Sequence, residues 1–121
     1  MEKVYLDAPV LDMKTWPPKG SNEYDQMIAE YGLNDDAFLA WKGNPIDNME
    51  AYFALRIPTM IVAGGADEVV PFAQNSGKMI EFCKQNGYAL PHIIKPECKH
   101  HPHSLDNIQP IIEFIDKRNL L

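Results

Sequence analysis

The apolar stretch Pro58–Gly65 (PTMIVAGG) constrains the fold of this chain more than any other segment. Its apolar and β-branched residues run without interruption from a proline to a pair of glycines. A continuous apolar run of this length is typical of a strand that is covered on both faces, as the strands of parallel sheets are. The stretch therefore predicts a strand that is buried on both faces of a parallel sheet.

The apolar pattern on either side of this stretch predicts two further strands and two helices. The strands are expected over Lys3–Asp7 and over residues 89–96. The helical spacing of apolar residues predicts helices over Phe72–Asn86 and Asp106–Lys117. Strands that alternate with helices in this way indicate an α/β protein with about three parallel strands and right-handed crossovers.

Residues 8–56 lie between the first and second predicted strands and have the pattern of a helical insert. Two prolines and a glycine favour a loop, and three short helices follow it. The residues expected to cap these helices are Ser21 or Asn22, Asn34 and Asp47. We interpret residues 8–56 as a short helical cap within one domain over residues 1–121, whose last strands and helices occupy residues 57–121.

A sheet of three parallel strands leaves two edges unpaired. Because parallel strands need cover on both faces and unpaired edges favour association, we expect this chain to be the C-terminal flank of a larger doubly wound sheet. Through its open sheet edge it is expected to bind an N-terminal half or another copy of itself.

The acidic composition excludes some classes of partner. Eleven Lys and Arg residues stand against 17 Asp and Glu residues, which gives a formal net charge of -6. A phosphate backbone or an anionic lipid surface needs a basic footprint, so we expect neither nucleic acid nor membrane partners. The sequence also shows no signal peptide and no apolar run of the roughly 20 residues that a membrane span needs. Its two cysteines leave the compartment open.

Residues with catalytic chemistry follow two of the predicted strands. Asp67 follows the strand predicted over the apolar stretch, and the histidine loop, Pro96–Leu105 (PECKHHPHSL), follows the last strand. The ligand sites of open α/β sheets lie at the carboxyl ends of the strands. An acid after one strand and a histidine after the next match the second half of a Ser, Asp, His triad in chain order. In such a triad the carboxylate accepts the imidazole Nδ1 proton, and the other ring nitrogen takes a proton from serine.

Several sequence segments resemble one enzyme superfamily. IPTMIVAGGADEVVPFAQNS and HIIKPECKHHPHSL resemble the C-terminal half of α/β-hydrolases on the esterase and prolyl-oligopeptidase side. DAPV, a Trp-Pro pair, KGNPIDN and HHPHSL resemble a bacterial subgroup of these enzymes, so that the resemblance covers essentially the whole chain. It implies a partial α/β-hydrolase fold in which Asp67 is the triad acid. His100 is implied as the catalytic base, because it matches the histidine of the family loop Gly-x-Gly-His.

The resemblance also implies a reaction. It is the serine-dependent hydrolysis of a small ester or an acylated carbohydrate through an acyl-enzyme, with no cofactor and no metal. The sequence departs from the family pattern in its loop, where Glu97 and Lys99 replace glycines and tolerate a positive φ far less readily. The chain also lacks the nucleophile motif Gly-x-Ser-x-Gly, and the oxyanion hole of the family comes from the same upstream region. We therefore predict that the chain is catalytically inactive by itself.

The neighbouring residues allow other interpretations. His101 and His103 are interpreted as supporting residues; the alternative is that one of them, rather than His100, meets Asp67. Trp16, together with other aromatic residues of the insert, either lines a substrate pocket or takes part in ordinary packing.

Two further classes of function compete with the hydrolase. A non-enzymatic interaction module built on the same fold is the first. A zinc site is the second, although the local ligand spacing matches no usual structural zinc pattern. Its ligand types would come from Asp67, Cys98, His100 and His103.

Overall fold

The computed structural model describes residues 2–116, which contain a three-stranded parallel sheet. Strand β1 spans Val4–Asp7, β2 spans Thr59–Gly64 and β3 spans His92–Lys95. The order across the sheet is β1, β2, β3, and both neighbouring pairs are parallel. The prediction of about three parallel strands is confirmed, and the apolar stretch forms the middle one.

Within the described residues, five α-helices accompany the sheet. Three lie in the insert, and the other two follow β2 and β3. Their bounds are Asn22–Glu30 (α1), Asp35–Ala40 (α2), Met49–Ala54 (α3), Ser76–Asn86 (α4) and Gln109–Asp116 (α5). In the described part of the chain, no helix is long and apolar enough to cross a membrane.

The central strand β2 is buried along its whole length, and its two faces contact different helices. Ile61 packs into a core with Phe53 of α3 and Met79 of α4. Its neighbour Val62 points to the opposite face and packs with Ile111 of α5. Full burial of such side chains contributes about 1.5–3 kcal/mol each. The sheet is therefore the middle layer between helices on both sides, which is the arrangement of a small α/β fold.

Strand β3 is shorter than the predicted span of residues 89–96 because prolines flank it. Pro91 precedes the strand and Pro96 follows it. Neither residue has a backbone N–H to donate to the ladder. The Pro91 carbonyl still accepts a hydrogen bond from Ile61 N at 3.0 Å, so the chain meets β2 before the strand itself begins.

Two of the predicted helix caps in the insert are confirmed. Ser21 caps α1, because its side chain accepts a hydrogen bond from Tyr24 N at 3.1 Å. Asn34 caps α2 in the same way, through Ala37 N at 2.7 Å. A side-chain acceptor at this position satisfies one of the unpaired N–H groups of the first helical turn.

The prediction that Asp47 caps the third helix is wrong. Asp47 is the last residue of a short 3-10 turn, Pro45–Asp47, and Asn48 occupies the capping position of α3. The Asp47 carboxylate accepts a hydrogen bond from Asn44 N at 3.2 Å instead. The short turn thus uses the side chain that the sequence pattern assigned to the helix.

The prediction of one continuous helix over residues 72–86 is wrong in its first turn. Phe72–Gln74 form a separate 3-10 turn, and Asn75 leaves helical geometry with a φ of -122° and a ψ of -98°. The Asn75 side chain is buried and accepts hydrogen bonds from Leu11 N and Asp12 N at 2.8 and 2.9 Å. Asn75 therefore joins the chain that follows β1 to the start of α4.

The last helix begins three residues later than predicted. Asn107 Oδ1 accepts a hydrogen bond from Gln109 N at 3.0 Å, and α5 begins at that residue. Such a local side-chain bond competes with helical geometry in the residues before it. The predicted helix end at Lys117 lies outside the described residues.

Candidate active site

The candidate site lies where β2 and β3 end, at the carboxyl edge of the sheet. Asp67 follows β2 by three residues, and His100 follows β3 by five. The structure brings the two side chains together, with 2.8 Å between His100 Nδ1 and Asp67 Oδ2. A carboxylate oxygen only accepts, so the Nδ1–H group of the imidazole donates this hydrogen bond. Of the three histidines in the loop, His100 is the one that contacts Asp67.

The Asp67 carboxylate is held in a fixed orientation. Its Oδ1 atom accepts hydrogen bonds from Val69 N and Val70 N, both at 3.0 Å. The side chain is 4% exposed, whereas that of His100 is 21% exposed. With Oδ1 occupied by backbone amides, Oδ2 faces the imidazole. The Nε2 atom of His100 therefore lies on the side of the ring away from Asp67 and makes no hydrogen bond within residues 2–116.

Glycine at the end of β2 allows the histidine loop to approach this closely. A Cβ atom at Gly64 would collide with the carbonyl oxygens of Cys98 and Lys99. Backbone hydrogen bonds join the same segments, from Gly65 N to Lys95 O at 2.9 Å and from Ala66 N to Cys98 O at 3.0 Å. The absence of a side chain at Gly64 therefore sets the separation between the loops that carry Asp67 and His100.

Lys95, the last residue of β3, holds the second half of the histidine loop. Its Nζ atom donates hydrogen bonds to Pro102 O at 2.6 Å and to Ser104 O at 2.7 Å. Ser104 has a φ of 62°, a left-handed conformation that costs a non-glycine residue roughly 1–2 kcal/mol. The ammonium group thus stabilises a turn of the loop that the backbone alone would disfavour.

The backbone of the histidine loop is not left-handed at Glu97 or Lys99. Among the described residues other than glycine, positive φ angles occur at Ala8, Arg56 and Ser104. Glu97 and Lys99 are not among them. The loop therefore places His100 beside Asp67 without the backbone geometry for which glycine would have been needed at these two positions.

His103 lies beside a second aspartate. Its Nδ1 atom is 3.6 Å from Oδ1 of Asp7, the last residue of β1. These side chains are more open than the first pair, with 43% of His103 and 25% of Asp7 exposed. The three strands thus each supply one group to the same edge, through Asp7, Asp67 and the histidine loop.

The hydroxyl of Tyr5, in β1, lies near Ser104 of the histidine loop and near Asp7. Burial raises the pKa of its hydroxyl, and the charge of Asp7 adds to that effect, while the Ser104 side chain opposes it. The hydroxyl meets no partner within hydrogen-bond geometry, although Ser104 and Asp7 are near enough to influence its pKa. Tyr5 also packs with Val62 in the core on the α5 side of the sheet.

The three imidazoles of the loop form one cluster. The ring centroids of His100, His101 and His103 are 4.5–5.1 Å apart, and each pair of rings is nearly perpendicular. One ring nitrogen from each residue lies within 4.8 Å of the others. The possible ligand set drawn from the sequence included Cys98 and Asp67, whereas the structure groups His101 with the other two histidines. Asp67 contacts this group through His100.

Trp16 belongs to the insert between β1 and β2. It is half-buried in the loop before α1, and no ring contact or hydrogen bond joins it to the histidine loop within residues 2–116. The other aromatic residues of the insert pack on one another, with centroid distances of 5.9 Å between Tyr24 and Phe38 and 6.2 Å between Phe38 and Trp41. The rings of Tyr24, Phe38 and Trp41 therefore pack on one another, and a role of Trp16 in a substrate pocket stays a prediction.

Three residues near the site were not predicted from the sequence. Asp7, Lys95 and Tyr5 all belong to strands that end at the carboxyl edge. The signal for Asp7 was present, because an acid at the carboxyl end of a parallel strand is a natural candidate. Lys95 and Tyr5 carried no such signal, since their contacts depend on how the histidine loop folds back.

Comparison with protein-family models, curated proteins and solved structures found no match to this chain.

Proposed function

We propose that this chain supplies the acid and base of a serine hydrolase and is the C-terminal part of a partial α/β-hydrolase fold. His100 acts as general base and acid, and Asp67 orients it. The substrate class is a small ester or an acylated carbohydrate. The nucleophile comes from another polypeptide segment, so the chain by itself is inactive.

The observation that carries this proposal is the 2.8 Å contact between His100 Nδ1 and Asp67 Oδ2 at the ends of adjacent parallel strands. With Nδ1–H bound to a carboxylate, the neutral imidazole keeps its lone pair on Nε2, which is the atom that accepts a hydroxyl proton in a triad. The carboxylate also stabilises the imidazolium that forms when this proton arrives. The two amide hydrogen bonds to Asp67 keep this geometry in place before the reaction.

The sheet order supports an external source for the nucleophile. No serine or cysteine side chain among residues 2–116 makes a hydrogen bond to His100. Among residues 2–116, strand β1 pairs with β2 alone, so its other edge is open in the part of the chain that the structure describes. A further parallel strand at that edge would end on the same side of the sheet as Asp67, and a serine elbow after it would face the histidine loop.

An interaction module is the second candidate. Besides the open edge of β1, three isoleucine side chains are exposed to solvent at α5: Ile112 and Ile115 in the helix and Ile108 directly before it. Exposed apolar side chains grouped on one helix mark surfaces that associate. This candidate predicts a stable oligomer and no hydrolysis in any context.

The complete reading frame that contains this chain provides the test. We expect it to encode Gly-x-Ser-x-Gly upstream of β1 and its product to hydrolyse a short-chain aryl ester. His100→Ala and Asp67→Ala should each lower kcat at least ~10³-fold, because the members of a triad act as a unit. His92→Ala is the matched control and should leave kcat unchanged, since His92 lies at the other end of β3.

Three results would overturn the proposal. One is a reading frame without a nucleophile motif, and the second is ester hydrolysis that His100→Ala does not affect. The third is turnover by the 121-residue chain alone that His100→Ala abolishes, which would contradict its dependence on another segment. A frame without the motif together with a stable dimer in sedimentation analysis would favour the interaction module.

A further inference from the structure

The histidine cluster has the donor atoms of a metal site. His100, His101 and His103 each offer a ring nitrogen, and these atoms lie within 4.8 Å of one another. In a tetrahedral zinc site, nitrogens bound at about 2.0–2.1 Å from the metal are about 3.4 Å apart. His101 and His103 are exposed, so rotation of their side chains is enough to shorten the separation. Three imidazoles with one open position form a known type of zinc coordination.

The carboxylates around the histidine cluster support its interpretation as a metal site. Histidines that bind metals usually donate the second ring N–H to a carboxylate, which fixes the tautomer and directs the other nitrogen at the metal. His100 has such a partner, because its Nδ1–H donates to Asp67 at 2.8 Å, and its Nε2 is therefore the nitrogen left for a metal. Asp7 lies 3.6 Å from Nδ1 of His103, an ion-pair distance that is longer than a hydrogen bond.

We propose that His100, His101 and His103 bind one divalent transition metal ion of the zinc type, with Asp67 and Asp7 as outer carboxylates. Imidazole donors suit Zn²⁺, Cu²⁺ and Ni²⁺ rather than Ca²⁺ or Mg²⁺. This departs from the expectation that the chain holds no metal. It does not depend on the hydrolase proposal, because the base role of His100 belongs to the metal-free chain. A metal on Nε2 occupies the lone pair that would accept the proton of a serine hydroxyl.

The test uses the 121-residue chain without a histidine tag, freed of metal and titrated with ZnCl₂ by calorimetry. We expect one Zn²⁺ per chain. His101→Ala and His103→Ala should each weaken binding at least tenfold, and Asp7→Asn should weaken it about tenfold through the outer carboxylate. His101 is exposed, so its replacement leaves the fold and the contact between Asp67 and His100 intact.

His92→Ala is the matched control. His92 is exposed and its Nδ1 atom contacts Leu90 O at 2.8 Å, away from the cluster. Its replacement should leave Zn²⁺ affinity unchanged. A Co²⁺ titration gives a second readout, because absorption bands report the ligands directly. We expect tetrahedral bands without a thiolate charge-transfer band.

Three outcomes would overturn the metal site. The first is the absence of Zn²⁺ binding by the folded chain. The second is equal weakening by His92→Ala and His101→Ala, which would indicate scattered surface binding. The third is a thiolate band that Cys98→Ser removes while His101→Ala has no effect, because the metal would then be bound through the cysteine.

Discussion

The two aspartate–histidine pairs at the carboxyl edge of the sheet use the same chemical groups in different surroundings. Asp67 and His100 are 2.8 Å apart, and Asp67 is almost completely buried. Asp7 and His103 are 3.6 Å apart, and both side chains are partly exposed. Backbone amides donate hydrogen bonds to the Asp67 carboxylate, whereas no backbone amide within residues 2–116 donates to that of Asp7.

This difference shows which pair is built to keep one geometry. A buried carboxylate whose two oxygens both accept hydrogen bonds is costly to remove, because its donors would lose their partners. A partly exposed pair separated by 3.6 Å gains little, since water competes for both groups and salt screens the charges. The first pair suits a fixed acid–base role. The second pair suits a group that moves when a ligand arrives.

The largest effect on the free energy of unfolding is expected from removing the Asp67 carboxylate. Asp67→Ala leaves two backbone amides and the imidazole N–H of His100 without their acceptor, which should lower the free energy of unfolding by about 3 kcal/mol. Urea unfolding followed by circular dichroism measures this change. Asp67→Asn is the control, since it keeps an oxygen for the amides and should recover part of the loss. Equal stability of wild type and Asp67→Ala would contradict the contrast between the pairs.

A methyl group at the end of β2 should separate the two loops. Gly64→Ala places a Cβ against the carbonyls of Cys98 and Lys99, and such overpacking costs about 2 kcal/mol. The loss of stability should come with loss of the His100 to Asp67 hydrogen bond, visible in the NMR signals of the imidazole. Gly32→Ala provides a comparison, because Gly32 has a φ of 66° and open space around it. That change should cost about 1 kcal/mol and leave the site unchanged.

Removing the Lys95 ammonium group, which holds the second half of the histidine loop, should loosen the Asp7–His103 pair more than the Asp67–His100 pair. Lys95→Met eliminates the hydrogen bonds to Pro102 O and Ser104 O and should cost about 1 kcal/mol. Amide hydrogen exchange should speed up around His103 and stay slow around Asp67. Lys99→Met changes an exposed lysine of the same loop and serves as control. Faster exchange at Asp67 instead would show that the two pairs are not independent.

The smallest effect on the free energy of unfolding is expected from removing the Asp7 carboxylate. Asp7→Ala should change the free energy of unfolding by no more than about 0.5 kcal/mol, as exposed ion pairs usually do. Parallel urea titrations of this variant and of Asp67→Ala compare the two pairs directly. A loss as large as that from Asp67→Ala would show that partial exposure does not weaken the second pair.

The fold was predictable from the sequence where burial decides the structure. The stretch that became β2 is apolar throughout because both of its faces are covered, so its pattern carried the information. The break at Asn75 was not predictable. It depends on hydrogen bonds to Leu11 and Asp12, more than sixty residues earlier in the chain, which helical periodicity does not record.

The candidate site was predictable to the same extent. Asp67 and His100 follow adjacent strands, so the topology of a parallel sheet was enough to place them near each other. The three-histidine cluster was not predicted as a group, because its members come from a loop whose path depends on Gly64 and Lys95. The periodicity of apolar residues, from which helices and strands are predicted, contains no information on the contacts between loops.

The tautomer of His100 tests the central claim most directly. Long-range ¹H–¹⁵N NMR spectra of the metal-free chain, at a pH where the rings are neutral, show which ring nitrogen carries the proton. We predict a proton on Nδ1 of His100, with His92 as an internal reference that carries its proton on Nδ1 through the contact with Leu90 O. A His100 ring protonated on Nε2 would contradict the account, because the lone pair needed to accept a serine proton would then face Asp67.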